Sequence, residues 1–207
     1  MEARPRTTRA VMFDLGGVLI DWNPRYLYRP LFAEAEEMER FLAEVCHAEW
    51  NRAIDAGRPL AEAIRERQRE VPACAELIGL WGSRWADMVQ GEIPGTVALL
   101  RELKELGLPL YALSNWSAET FPLARERFAF LAWFAAIVVS GEEGVAKPDP
   151  EIFERAIRRC GLDPARTAFI DDVPANVEAA RALGFDAILF TGAGPLRRAL
   201  VARGLLP

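Results

Sequence analysis

Histidine and cysteine are scarce in this chain: His47 is the sole histidine, and Cys46, Cys74 and Cys160 are odd in number and form no C-x-x-C pair. That pattern argues against a disulfide frame or a zinc site and makes a reducing, cytoplasmic setting the default. Positive charge is also short. With 25 Lys and Arg against 30 Asp and Glu, the net charge is −5, so the chain lacks the overall field that nucleic acid or an anionic membrane requires. A small anionic substrate needs only local positive charge. Long hydrophobic runs are missing as well. The longest, Phe128 to Val139, has twelve residues, whereas a membrane span needs roughly 20; a buried helix end running into a buried strand accounts for it. The basic opening, Met1 to Arg9, leads into an apolar run that Asp14 interrupts after four residues. This is too short for a secretory leader and reads as a frayed terminus. Internal repeats and low-complexity tracts do not occur.

What is abundant is apolar content: 51% of 207 residues is enough for one sizeable core, or one core carrying a smaller accessory unit. From Pro94 onward, helical and strand patterns alternate. A helix over Thr96 to Leu106 precedes a strand over Pro109 to Leu113; a helix follows Ser117, and a strand runs over Ile137 to Val139. Asp149 can cap and Pro150 can start the next helix. The pattern continues with a strand at Ala168 to Ile170, a helix at Ala175 to Leu183, a strand at Ala187 to Phe190 and a helix at Leu196 to Ala202. Gly107, Gly161, Gly184 and Gly204 mark helix ends. With a first strand ending near Asp14, this predicts an α/β fold: a Rossmann-like parallel five-stranded sheet covered by helices. Residues 22 to 92 break the alternation. Leu31, Phe32, Met38, Phe41, Leu42 and Val45, and later Leu77, Leu80, Trp81, Trp85 and Met88, follow helical spacing, with no strand run between them. The expected organisation is an α/β core of residues 1–21 and 93–207, with an all-helical cap, 22–92, inserted after the first strand. Asp21 to Pro24 and Gly91 to Gly95 are its hinges.

The chemistry-bearing residues fall at the ends of the apolar runs. Val11-Met12-Phe13-Asp14-Leu15-Gly16-Gly17 is a strand that delivers a carboxylate into a glycine turn, and Phe169-Ile170-Asp171-Asp172 repeats the design. Open α/β sheets hold ligands at the carboxyl ends of their strands. Two strands that end in acids can share one divalent cation, because hard cations take oxygen ligands and their charge removes the repulsion between acids.

Asp14 in D-L-G-G-V-L, Ser114-Asn115 ending L-S-N, Lys147 in K-P-D-P and Asp171-Asp172 in I-D-D resemble, in that order, the four motifs of the haloacid dehalogenase-like hydrolases. The helical insert resembles that family's cap. The D-L-G-G form is similar to a subgroup of sugar-phosphate phosphatases. The resemblance implies a phosphatase of a small phosphorylated metabolite in which Asp14 attacks phosphorus and becomes an aspartyl phosphate. It implies Mg2+ held by Asp14, the Gly16 carbonyl and Asp172, with Asp171 reaching it through water. It further implies that Lys147 neutralises Asp14 and a phosphoryl oxygen. Ser114 and the backbone amides of Asn115 and of the loop through Gly17 donate to the transferring group.

One departure matters. Most phosphatases of the family carry a second Asp two residues after the nucleophile as general acid and base; here that position is Gly16, which cannot move a proton. Asp21 in the flap, and His47, Glu49 or Asp55 in the cap, are the candidate replacements. A lone histidine on a helix is usually a surface or half-buried group, and Asp21 can simply cap the turn before Trp22. Trp22, Trp50 and Trp116 either line the pocket or belong to the core. Asn176 either braces the metal loop or caps its helix. An alternative is a metal-free 2-haloacid dehalogenase, which also lacks the second Asp but carries S-x-N at the fourth motif; a third is a phosphate-binding scaffold.

Overall fold

The computed structural model describes residues 8–207; most of the segment read as a frayed terminus, residues 1–7, lies outside the described residues. Its strands are β1 (Ala10–Phe13), β2 (Ile20–Trp22), β3 (Val89–Glu92), β4 (Leu110–Ser114), β5 (Ala136–Val139), β6 (Thr167–Asp171) and β7 (Asp186–Leu189). Five of them form one sheet in the order β5-β4-β1-β6-β7, with every neighbouring pair parallel. Along β1 the side chains alternate. Val11 and Phe13 enter one apolar cluster and Met12 the other, as Ile170 and Phe169 do on β6. Strands buried on both faces read as continuous apolar runs, which explains why they were visible in the sequence.

The helices are α1 (Arg25–Tyr28), α2 (Ala35–Glu44), α3 (Ala48–Asp55), α4 (Leu60–Glu70), α5 (Ala75–Ser83), α6 (Pro94–Glu105), α7 (Phe121–Arg127), α8 (Ser140–Glu143), α9 (Pro150–Cys160), α10 (Pro174–Ala182) and α11 (Ala193–Ala202). Asp149 caps α9 by accepting from Glu151 N, with Pro150 at the first turn, as expected. Residues of α6 and α11 cover the cluster that holds Phe13, while α9 and α10 cover the one that holds Met12. The fold is therefore an α/β sheet with helices on both faces and a helical cap inserted after the first strand. Among the described residues, no helix is long and apolar enough to cross a membrane.

Helices α1 to α5 gather around their own apolar cluster, centred on Tyr28, Trp50 and Trp81. Trp50 packs edge-on against Trp81 at 5.3 Å, and the buried Tyr28 hydroxyl donates to Leu77 O at 3.0 Å. The expectation of no strand in residues 22–92 needs correction: β3 lies within it and pairs antiparallel with β2. Asn23 N donates to Met88 O and Ile93 N to Leu19 O, each at 2.8 Å, so the two chain crossings between cap and core are tied to one another. Trp22 and Trp85 pack against both the cap and the core clusters.

Candidate active site

Strand order builds the site. The central strand β1 runs out at Asp14, its neighbour β4 ends on Ser114, and its other neighbour β6 ends on Asp171, so three polar residues stand side by side at the carboxyl edge. Chain order reverses at β1, where parallel sheets open a crevice. Lys147 comes in from the loop before α9 and is 1% exposed. Its Nζ donates to Leu113 O (2.8 Å) and Asp171 Oδ2 (2.7 Å) and stands 3.0 Å from Asp14 Oδ1. An ammonium has three N–H bonds. All three face these partners, so in this structure Lys147 clamps two carboxylates and keeps no free donor for the phosphoryl oxygen it was expected to meet.

Asp14 accepts from Leu15 N at 2.7 Å through the same Oδ1 that faces Lys147, leaving Oδ2 without a hydrogen-bond partner among the described residues. Burial, reinforced by repulsion from Asp171 and Asp172 and opposed by Lys147, pushes its carboxyl up to about 7. Burial pulls Lys147 down, but Asp14 and Asp171 outweigh it and keep it a cation. Asp171 is fully buried; Asn176 Nδ2 donates to both of its oxygens (3.0 and 3.1 Å) and Val173 N to Oδ1 (2.9 Å). Asn176 thus braces the acid loop. Asp172 opens to solvent, and its carboxyl is raised by partial burial first and by Asp171 second. Asp14, Asp171 and Asp172 each present an oxygen within 4.8 Å of the others.

Ser114 Oγ is buried and has no hydrogen-bond partner among the described residues. Buried hydroxyls are normally satisfied, so an orphan at a strand end marks a place for a ligand oxygen. Asn115 reaches sideways: its Oδ1 accepts from Lys147 N (2.8 Å) and its Nδ2 donates to Lys147 O (2.9 Å), which pins the lysine loop. Spacing alone did not reveal this.

Gly17, read as an anion-binding amide, requires correction, because its N–H already donates to Ile20 O at 2.9 Å. Its backbone lies at φ +72°, and a Cβ there would overlap the Asp172 carboxylate. Gly17→Ala is accordingly expected to cost about 1–2 kcal/mol in backbone strain. It should also weaken divalent-cation binding by about tenfold or more through displacement of Asp172; urea unfolding and calorimetric titration measure the two effects.

Beside these groups lies a cavity of about 70 Å³ walled by Trp22, Trp85 and Trp116, with Asn51, Asp55 and Asn115 as its polar groups and Gly16 opening onto it. Two proposed proton donors are not on its wall. His47 caps α3, with Nδ1 accepting from Trp50 N at 3.2 Å and Nε2 facing Arg67 Nη2 at 2.8 Å. Both oxygens of Asp21 accept from Tyr26 OH (2.9 and 3.0 Å). Each is occupied by a structural partner. Glu49 is exposed, Trp50 belongs to the cap core, and Trp85, read only as a cap-helix residue, takes the third aromatic place.

Residues 8–184 match the family described as haloacid dehalogenase-like hydrolase. The chain is 30% identical to a sesquiterpene phosphatase of Aspergillus oryzae, over 86% of this chain and 87% of that protein. Its fold is similar to that of a HAD family enzyme of Bacteroides thetaiotaomicron solved with magnesium and inorganic phosphate (TM-score 0.65, 24% identity, 88% of this chain and 93% of that one). It is also similar to that of an L-2-haloacid dehalogenase (TM-score 0.68, 22% identity, 89% and 87%). At these identities the two solved structures speak to the fold alone.

Proposed function

The chain belongs to the haloacid dehalogenase-like hydrolases, and from that premise we propose that it is a magnesium-dependent phosphohydrolase of a small phosphorylated metabolite, working through an aspartyl phosphate on Asp14. The observation that carries this reading is a charge imbalance: three carboxylates converge within 4.8 Å, and among the described residues Lys147 is the cation that reaches into them. Two negative charges remain uncompensated, which a divalent ion cancels and a metal-free dehalogenase has no use for. Asp14, Asp172 and the Gly16 carbonyl would hold Mg2+, which when bound masks the phosphate's charge. Asp171 supports them from behind, its oxygens taken by Lys147, Val173 and Asn176.

Asp14 attacks phosphorus through a carboxylate oxygen that has no hydrogen-bond partner, while Lys147 and Leu15 N–H fix the other oxygen. Ser114 Oγ donates to a phosphoryl oxygen and gains the partner it lacks. Residues 22–92 close over the site. The cavity, open on one side, offers tryptophan faces to the ring of a small leaving group such as a sugar and Asn51 and Asn115 to its hydroxyls.

The test pairs two assays. Phosphate release from p-nitrophenyl phosphate with Mg2+ should stop on chelation, and 2-chloropropionate should yield no halide in excess EDTA; halide release without metal overturns the proposal in favour of dehalogenation. A pH dependence follows from Asp14. Its carboxyl, raised to about 7 without metal, binds a proton in competition with Mg2+ below that pH. Cation affinity should therefore rise by about tenfold per pH unit up to about pH 7 and level off above it, as read by isothermal titration of Mg2+ into the metal-free protein.

A further inference from the structure

We propose that Asp55, carried in by the cap, is the general acid and base that position 16 does not supply. The proposal rests on the phosphohydrolase reading. It starts from the space beside Gly16: a Cβ built there meets nothing within 4 Å, and the glycine opens onto the cavity. The wall of that same cavity includes Asp55, its sole ionisable lining group among the described residues. The carboxylate missing from the β1 loop is thus answered by one from the cap.

Its position is built rather than incidental. Asp55 ends α3, and its backbone carbonyl accepts from Ser140 Oγ, which in turn accepts from Trp116 N at 2.9 Å. Leu60 N donates to Glu119 Oε1 at 2.7 Å just beyond, so two hydrogen bonds dock this corner of the cap on the core. Asn51 Nδ2 donates to Asp55 Oδ2 at 2.9 Å and the Ser117 backbone also faces the carboxyl, so two groups from cap and core orient it. Burial, opposed by the hydrogen bonds from the Ser117 backbone and Asn51, pushes the Asp55 carboxyl up to about 7, where an acid both gives and takes a proton near neutral pH.

The chemistry balances in two displacements. As the Asp14 oxygen bonds to phosphorus and the bond to the leaving oxygen breaks, the Asp55 carboxyl gives that oxygen its proton. The Asp55 carboxylate then takes a proton from water, whose oxygen bonds to phosphorus as the bond to Asp14 breaks. Inorganic phosphate leaves, and both side chains return to their starting states. Because α3 brings the proton, chemistry is confined to the closed cap.

Leaving-group dependence tests this. Asp55→Asn keeps the docking carbonyl and is compared with wild type on ethyl phosphate, whose alkoxide needs a proton, and on p-nitrophenyl phosphate, whose phenolate does not. The expected loss in kcat/KM is about 10²–10⁴-fold with the alkyl ester and at least about tenfold smaller with the aryl ester. In the same background Gly16→Asp, which enters open space, should restore the alkyl activity at least about tenfold. Equal losses on both esters, or no loss on either, overturn the assignment, as does failure of the Gly16→Asp rescue in a folded double variant. If wild type itself releases no phosphate from either ester, the parent reading fails instead.

Discussion

Asp14→Asn abolishes turnover while leaving the protein folded. The amide oxygen of asparagine can still accept from Leu15 N–H and face Lys147, so the contacts that position residue 14 survive. What disappears is the nucleophile. Loss of a nucleophile that acts in concert with its neighbours costs at least about 10⁴-fold in kcat. Asp14 is 7% exposed and burial resists its charge, so the variant should unfold within about 1 kcal/mol of wild type. Phosphate release and urea denaturation on one preparation read both results. Wild-type rates from the variant would exclude Asp14 as the nucleophile.

Lys147→Met is expected to strike stability as hard as activity. Methionine refills the volume of the lysine stem, but it leaves Asp14 and Asp171 facing each other without the ammonium that now joins them. Removing one partner from a buried ionic cluster costs about 3–5 kcal/mol. The sign of the pH effect follows. Without Lys147, which opposes the upward shift, the folded-state Asp14 carboxyl goes up further from about 7, so the native state binds more protons than the unfolded one and loses stability as pH rises. The deficit against wild type should therefore be largest well above about pH 7 and shrink below it, where the Asp14 carboxyl is protonated in both folded proteins. A second change, Asp171→Asn, should return part of the lost stability by removing one of the unpaired charges. A Lys147→Met protein as stable as wild type at neutral pH would mean that the clamp contributes nothing.

The parts of this arrangement legible in the sequence share one property: their signal is local. Val11-Met12-Phe13 and Ile137-Val138-Val139 are short because strands are short, and apolar throughout because both faces are covered. Asp149-Pro150 announces α9 through its own cap. Asp14, Ser114 and Asp171 sit where runs end, so reading the ends reads the edge of the sheet. What escaped depends on partners distant in sequence. The β2–β3 pair is a three-residue strand meeting a four-residue one that contains Gly91, and only their hydrogen bonding defines it. Asn115 pins Lys147 from 32 residues away. Asp21 and His47 looked more eligible than Asp55 because Tyr26 and Arg67, which occupy them, are brought close by the folded cap. Trp50 and Trp85 exchanged roles for the same reason: helical spacing says that a tryptophan is on the inner face, not which of two cores it enters.

The central claim is a covalent one, that phosphorus passes through the Asp14 carboxylate, and acid-quenched turnover tests it most directly. The protein is mixed with p-nitrophenyl phosphate and Mg2+, stopped in acid, and reduced with borohydride, which converts an acyl phosphate into the corresponding alcohol. Peptide mass spectrometry should then find residue 14 reduced to homoserine in wild type and unaltered in a sample quenched before substrate. Reduction at any other carboxylate, or steady phosphate release with residue 14 never modified, would contradict the account.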